Sequence, residues 1–185
     1  MNVIETALPE VKIIEPKVFG DERGFFMETW QHQRYIEAGI GTVKNFVQDN
    51  LSYSTKDVLR GLHYQYENTQ AKLVYVLQGS VLDVAVDIRQ GSANFGQWVS
   101  VELSSENKRQ LYVPEGFAHG FLVTSETVLF SYKCTDIYNP NAEISIQWDD
   151  PKIGVEWSTK SPNLSDKDLN AQALSEIDKK LLPTF

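Results

Sequence analysis

At 185 residues, with 42% hydrophobic and 23% charged side chains, the chain has the composition of a globular protein and not of a disordered segment. Seventeen basic against twenty-five acidic residues give a net charge of −8, which argues against nucleic acid or an anionic membrane as partner. Its single cysteine, Cys134, closes no intramolecular disulfide, the N-terminus lacks the basic start and apolar run of a leader, and no apolar run approaches the ~20 residues of a bilayer span, so a cytoplasmic protein is expected.

In chain order, Val11–Val18 and Gly24–Trp30 read as strands around a Gly20-Asp21 turn signal, and Gln31–Ala38 reads as a short helix closed by Gly39. Strands follow at Phe46–Ser54, Leu59–Tyr66 and Lys72–Leu77, the last ending at a Gln78-Gly79 turn. In Val81–Asp87, Leu82, Val84 and Val86 share one face while Asp83 and Asp87 share the other. After Gln90-Gly91 comes Trp98–Leu103, where Val99, Val101 and Leu103 oppose Ser100 and Glu102. Gln110–Val113 is a strand before the Glu115-Gly116 turn, and Val128, Phe130, Tyr132 and Cys134 share a face of the next. Asn139-Pro140-Asn141 marks a turn before Ile144–Trp148. Strands spaced about ten residues apart predict a sandwich or barrel, with little helix. Leu164–Leu182 holds one or two short helices, with Ser165 as an N-cap. No repeat or composition break divides the chain, so residues 1–185 are expected to form one domain with a polar C-terminal appendage.

Three histidines occur. His32, among Gln31, Gln33 and Arg34, fits a helix surface, whereas His63 and His119 lie near glycines in strand-like segments, where backbone can bend toward a ligand. Two distant histidines without a thiol partner make a poor transition-metal site, so no metal is expected.

Arg60-Gly-Leu-His63-Tyr-Gln65 and Pro114-Glu-Gly116-Phe-Ala-His119-Gly120 resemble the paired motifs of the cupin superfamily, whose antiparallel barrel holds its site inside. In a metal-binding cupin a second histidine stands where this chain has Gln65. The resemblance becomes closer with Asp21-Glu-Arg23-Gly24-Phe25-Phe26-Met-Glu28, Gln48-Asp49-Asn50-Leu-Ser52, Lys72, Val86-Asp87-Ile-Arg89, Phe95-Gly96-Gln-Trp98, Tyr132-Lys133 and Leu164-Ser-Asp-Lys167-Asp168. Together, from about residue 5 to about residue 170, these segments are similar to the dTDP-4-dehydrorhamnose 3,5-epimerase family. The resemblance implies an all-β, cupin-type antiparallel barrel or jelly roll with short N-terminal strands and a short helical C-terminal segment.

What it implies chemically is double inversion next to a ketone. In a 4-keto sugar the C3 and C5 hydrogens flank the carbonyl and are acidic, so inversion needs a base on one face, an acid on the other and a group that stabilises the enolate. No redox cofactor is needed, and no cofactor is expected. By the resemblance, His63 is the base, Asp168 holds its imidazole, Tyr132 is the acid and Lys72 stabilises the oxyanion. Arg23 and Arg60 suit a diphosphate because guanidinium binds phosphate oxygens in pairs. Glu28, Gln48, Asp49, Asn50, His119, Glu143 and Lys167 match substrate-contacting positions, and Phe19, Phe26 and Tyr138 are all open as partners for thymine.

Strict alternation puts Arg60 and His63 on opposite faces of one strand, so either a bulge at Gly61 or Arg60 reaching around the rim is required. Two other readings differ in function: a relative that inverts C3 alone or moves the ketone, and a non-catalytic sugar-nucleotide-binding cupin. Members of the family that this chain resembles pair as homodimers with the N-terminal segment crossing over, which would put Arg23 and Glu28 at the partner's site.

Overall fold

Side chains that alternate apolar and polar give a strand one face to bury, and two sheets satisfy that demand by stacking. A computed structural model of the chain describes residues 1–41 and 45–185. The N-terminal strands are β1 (Asn2–Glu5), β2 (Lys12–Glu15), β3 (Val18–Asp21) and β4 (Gly24–Met27), followed by the helix α1 (His32–Glu37). Then come β5 (Gln48–Thr55), β6 (Leu59–Gln65), β7 (Lys72–Gln78), β8 (Ser80–Asp87) and β9 (Trp98–Ser104). β10 (Gln110–Val113), β11 (Phe117–Val123), β12 (Thr127–Cys134), β13 (Glu143–Ser145) and the short helix α2 (Asp166–Leu169) come next, and two 3-10 turns, Leu174–Glu176 and Lys179–Leu181, end the order.

Among the described residues a six-stranded sheet runs β1-β2-β10-β7-β12-β5 and a five-stranded sheet runs β13-β6-β11-β8-β9, with β3 and β4 forming a separate hairpin. All the pairings within these sheets are antiparallel. The fold is all-β, a cupin-type jelly roll. Between the sheets, Val74 and Val76 of β7 and Val128 and Phe130 of β12 meet Ala85 of β8 and Phe117 and Phe121 of β11. The stacked rings of Phe121 and Phe130, 4.1 Å apart, join the two layers.

The expected Val11–Val18 strand is two strands, because Pro16 offers no N–H to continue a ladder. β1 and β11 carry no alternating signal. Every residue of β11 is buried, since one face looks into the barrel and the other lies under the C-terminal segment. That segment is not simply polar: Leu174, Ile177 and Leu182 cover Leu62, Tyr64, Val84 and Val86 on the outer face of the five-stranded sheet. The apolar face of β8 therefore points outward beneath this cover. Asp83 and Asp87, both 0% exposed, point the other way.

Candidate active site

The barrel interior is not wholly apolar. A cavity of about 460 Å³ opens among strands of both sheets, lined by Gln48, Asn50 and Ser52 of β5, Arg60 and His63 of β6, Lys72 of β7, His119 of β11 and Tyr132 and Cys134 of β12. Alternation explains most of this set, because Gln48, Asn50 and Ser52 are two apart, as are Tyr132 and Cys134. Arg60 and His63 are three apart and both line it, and the register gives the reason. His119 pairs with His63 and Phe121 with Arg60, so Gly61 and Leu62 together oppose Gly120. That bulge turns Arg60 inward, where its Nε donates to Ser54 Oγ at 3.1 Å. Gly61 has φ +129°, and a Cβ there would lie 2.5 Å from the Gly120 Cα. Glycine is required by both the backbone conformation and the close approach.

His63 and Asp168 meet across 105 positions of chain, with Nε2 2.5 Å from Asp168 Oδ1. α2 delivers the carboxylate: Ser165 caps the helix by accepting from the Asp168 N–H and donates its hydroxyl to Asp168 Oδ2 at 2.9 Å. Burial pushes the Asp168 carboxyl up, but its hydrogen bond and attraction to His63 and the Ser165 contact outweigh it and hold the group below its ordinary value. An ionised Asp168 accepts the Nε2 proton and leaves the His63 Nδ1 lone pair free, with Glu143 Oε1 at 3.9 Å. Glu143 in turn accepts from Lys167 Nζ at 2.7 Å and from the Tyr138 hydroxyl at 2.8 Å.

The remaining groups divide into donors and acids. Burial pushes the Tyr132 phenol above its ordinary value, with Cys134 and Glu143 adding to the effect and Arg60 opposing it, so the hydroxyl keeps its proton at neutral pH. Burial holds the Lys72 ammonium below its ordinary value, with Cys134, Glu143 and Asp83 opposing the shift and Lys167 adding to it. The amides form a short chain. Gln48 Nε2 donates to Asn50 Oδ1 at 3.0 Å, and Gln48 Oε1 accepts from the Tyr138 backbone N–H at 2.9 Å. Gln65 is committed to loops, donating to the Asn68 and Ile137 carbonyls and accepting from the Asn139 N–H. Among the described residues no three His, Cys, Asp or Glu side chains cluster as a metal site.

A base held by a carboxylate, a protonated phenol and a cation in one cavity fit proton transfer beside a carbonyl. The model of the dTDP-4-dehydrorhamnose 3,5-epimerase family matches residues 5–176. The chain belongs to this family. It is 56% identical over 179 residues to the dTDP-4-dehydrorhamnose 3,5-epimerase of Shigella flexneri, covering 96% of this chain and 98% of that protein. With the Salmonella typhimurium enzyme of the same name it shares 57% over 178 residues, covering 95% and 97% of the two chains. The crystal structure of the Legionella pneumophila dTDP-6-deoxy-D-glucose-3,5-epimerase in complex with dTDP-4-keto-L-rhamnose superposes with a TM-score of 0.97 at 56% identity, over 100% of this chain and 98% of that one.

Not all the positions expected from the epimerase family meet here. Arg23 lies on the β3–β4 hairpin with an 89% exposed side chain paired to Asp21, and Glu28 accepts from Arg34 at 2.8 Å. Neither lines the cavity. Asp49 points to the outer face of β5 and binds Lys133, because its neighbours Gln48 and Asn50 take the inner one. Of the aromatics, Tyr138 lines the cavity, while Phe19 and Phe26 are exposed on the hairpin. Asp83 carries no functional expectation from the sequence, yet it is buried and 2.8 Å from His119 Nε2. Its alternation with Val84 signals a solvated face, so nothing local marks it.

Proposed function

We propose that this chain converts dTDP-4-dehydro-6-deoxy-D-glucose to dTDP-4-dehydro-L-rhamnose, inverting C3 and C5 by proton abstraction and return beside the C4 carbonyl. The observation that carries the reading is the convergence of His63 with Asp168, Tyr132 and Lys72 on a single cavity. His63 Nδ1 takes the α-proton, the C–H electron pair moves into the enolate, and Lys72 stabilises the negative charge that develops on O4. Tyr132 then returns a proton to the carbon from the opposite face, which inverts it. Asp168 accepts from Nε2 and offsets the imidazolium charge. Each turnover at one centre leaves a protonated His63 and a Tyr132 phenolate, which exchange with water before the second.

Arg60 and Lys167 supply positive charge for the diphosphate within a chain of net charge −8, and the amides of Gln48 and Asn50 suit hydrogen bonding to a base or phosphate. Tyr138 stacks on thymine in this reading, which its position in the cavity lining beside Gln48 and Glu143 supports. The working unit is a homodimer in which Arg23 and Glu28 of one protomer complete its partner's cavity. Two features support it: an edge strand, β5, with exposed Leu51 and Tyr53, and a hairpin with exposed Phe19, Phe25 and Phe26. A cytoplasmic location fits the free, buried thiol of Cys134, and no helix among the described residues is long and apolar enough to cross a membrane.

The test is turnover of the dTDP-4-keto-6-deoxy sugar in deuterated water, read by NMR. Deuterium at both C3 and C5 of an L-rhamno product is expected, and His63→Ala should abolish both. Label at C3 alone would make the chain a monoepimerase, and binding with no exchange would make it a binding protein.

A further inference from the structure

Asp83 is a buried acid that the proposed mechanism leaves unused. It stands on the inner face of β8, 0% exposed, opposite Phe121 of β11 and Val101 of β9. Its Oδ1 is 2.8 Å from His119 Nε2, and its Oδ2 is buried without a hydrogen bond from any described residue. A carboxylate removed from water in this way is costly unless a cation compensates it. His119 accounts for one oxygen. Lys72, on the inner face of β7 in the opposite sheet, is the ammonium that lines the same cavity as His119, and its positive charge and the Asp83 carboxylate favour each other across the interior.

We propose that Asp83 is a positioning residue: its carboxylate orients His119 through Nε2 and supplies a buried counter-charge for the Lys72 ammonium beside the reacting carbonyl. The kinetic half of this inference rests on the reading of Lys72 as the oxyanion partner. The charged and titratable groups around Lys72 are Asp83, Glu143, Cys134 and Lys167, and those around Asp83 are His119 and Lys72. Burial holds the Asp83 carboxyl above its ordinary value, although His119 and Lys72 pull it down. Of the acids near Lys72, Glu143 already serves Lys167, Tyr138 and His63, which leaves Asp83 as its less committed anion.

Asp83→Asn separates orientation from charge, since the amide oxygen still accepts the His119 Nε2–H. Lys72 acts in its protonated form, so activity falls as pH rises through its pKa. Losing the counter-charge lowers that pKa, and the alkaline limb of the kcat profile should move down by about one pH unit. KM should change by less than about threefold, because binding energy comes chiefly from the nucleotide. A second measurement holds even where activity is lost: thermal unfolding of Asp83→Asn, Lys72→Met and the double variant. Each single variant strands one charge, so the double should unfold roughly 3 °C or more above the additive expectation. Additive midpoints would overturn the proposal whatever the kinetics. Coupled midpoints with an unmoved alkaline limb would sustain the charge coupling of Asp83 with Lys72 and overturn instead the role of Lys72 at the oxyanion.

Discussion

Tyr132→Phe removes one oxygen from the inner face of β12 and leaves the ring beside Phe130, 6.0 Å between centroids. Stability should change by about 1 kcal/mol or less. Epimerisation should fall by ~10²–10⁴-fold, while exchange of the α-proton with solvent continues through His63. Measured by NMR in deuterated water, labelling of the starting sugar should outpace product formation, and near wild-type inversion would send the search for the acid to Tyr138. Asp168→Asn keeps the shape and loses the charge, so the His63 tautomer is no longer fixed and kcat should drop roughly 10²-fold or more. Its stability effect has a direction in pH. The folded Asp168 carboxyl lies below its ordinary value, so its contribution is present above the unfolded pKa of about 3.9 and is lost as pH falls through the folded one. Urea unfolding should therefore separate the variant from the parent at neutral pH and bring them together in strong acid. A gap that stays constant would mean that the carboxylate's charge contributes nothing.

At the scale of elements, the bulge in β6 decides which side chains reach the cavity. Without it Arg60 would share the outward face of Leu62 and Tyr64, which pack under the C-terminal segment. A Cβ on Gly61 would stand 2.5 Å from the Gly120 Cα and 2.9 Å from the His119 carbonyl oxygen, and one on Gly120 would stand 2.8 Å from the Arg60 carbonyl oxygen. All are backbone atoms, so no rotamer change relieves them. Gly61→Ala should cost about 2–4 kcal/mol in urea unfolding and lower kcat in the molecules that still fold, because Arg60 and His63 lose their common face. Unchanged stability would show that β6 can be realigned without loss. The need for an irregularity here was legible from spacing alone, since two inward residues three apart contradict a period of two. Choosing the bulge over a reach around the rim required the pairing with β11.

For the whole molecule the open question is what covers the outer face of the six-stranded sheet. Leu51 and Tyr53 of β5 are 62% and 61% exposed, and Leu77 of β7 lies on the same outward side. Single exposed apolar residues are ordinary, but a row of them on an edge strand needs a partner. In the proposed dimer, Leu51→Asp places a charge in that contact. Sedimentation should then report a larger monomer fraction, and turnover should fall with it, because Arg23 and Glu28 would no longer reach the neighbouring cavity. A fully active monomer would refute the shared site.

Period-two alternation by itself determined an antiparallel β protein, because a strand's two faces are written into successive residues. It also put Val128, Phe130, Tyr132 and Cys134 on one face, while residue type and position marked Ser165 as a helix cap. Local chemistry determined the residue types near the cavity, since the glycines and histidines of β6 and β11 stand in recognisable spacings. Which face of each strand looks inward was decided by tertiary structure alone. The apolar face of β8 turned outward because Leu174, Ile177 and Leu182, about ninety residues later in the chain, return to cover it. Asp83 was thereby carried into the barrel to meet His119, and Asp49 was left outside with Lys133. Burial depends on what packs from elsewhere in the chain, and no spacing within a strand encodes that.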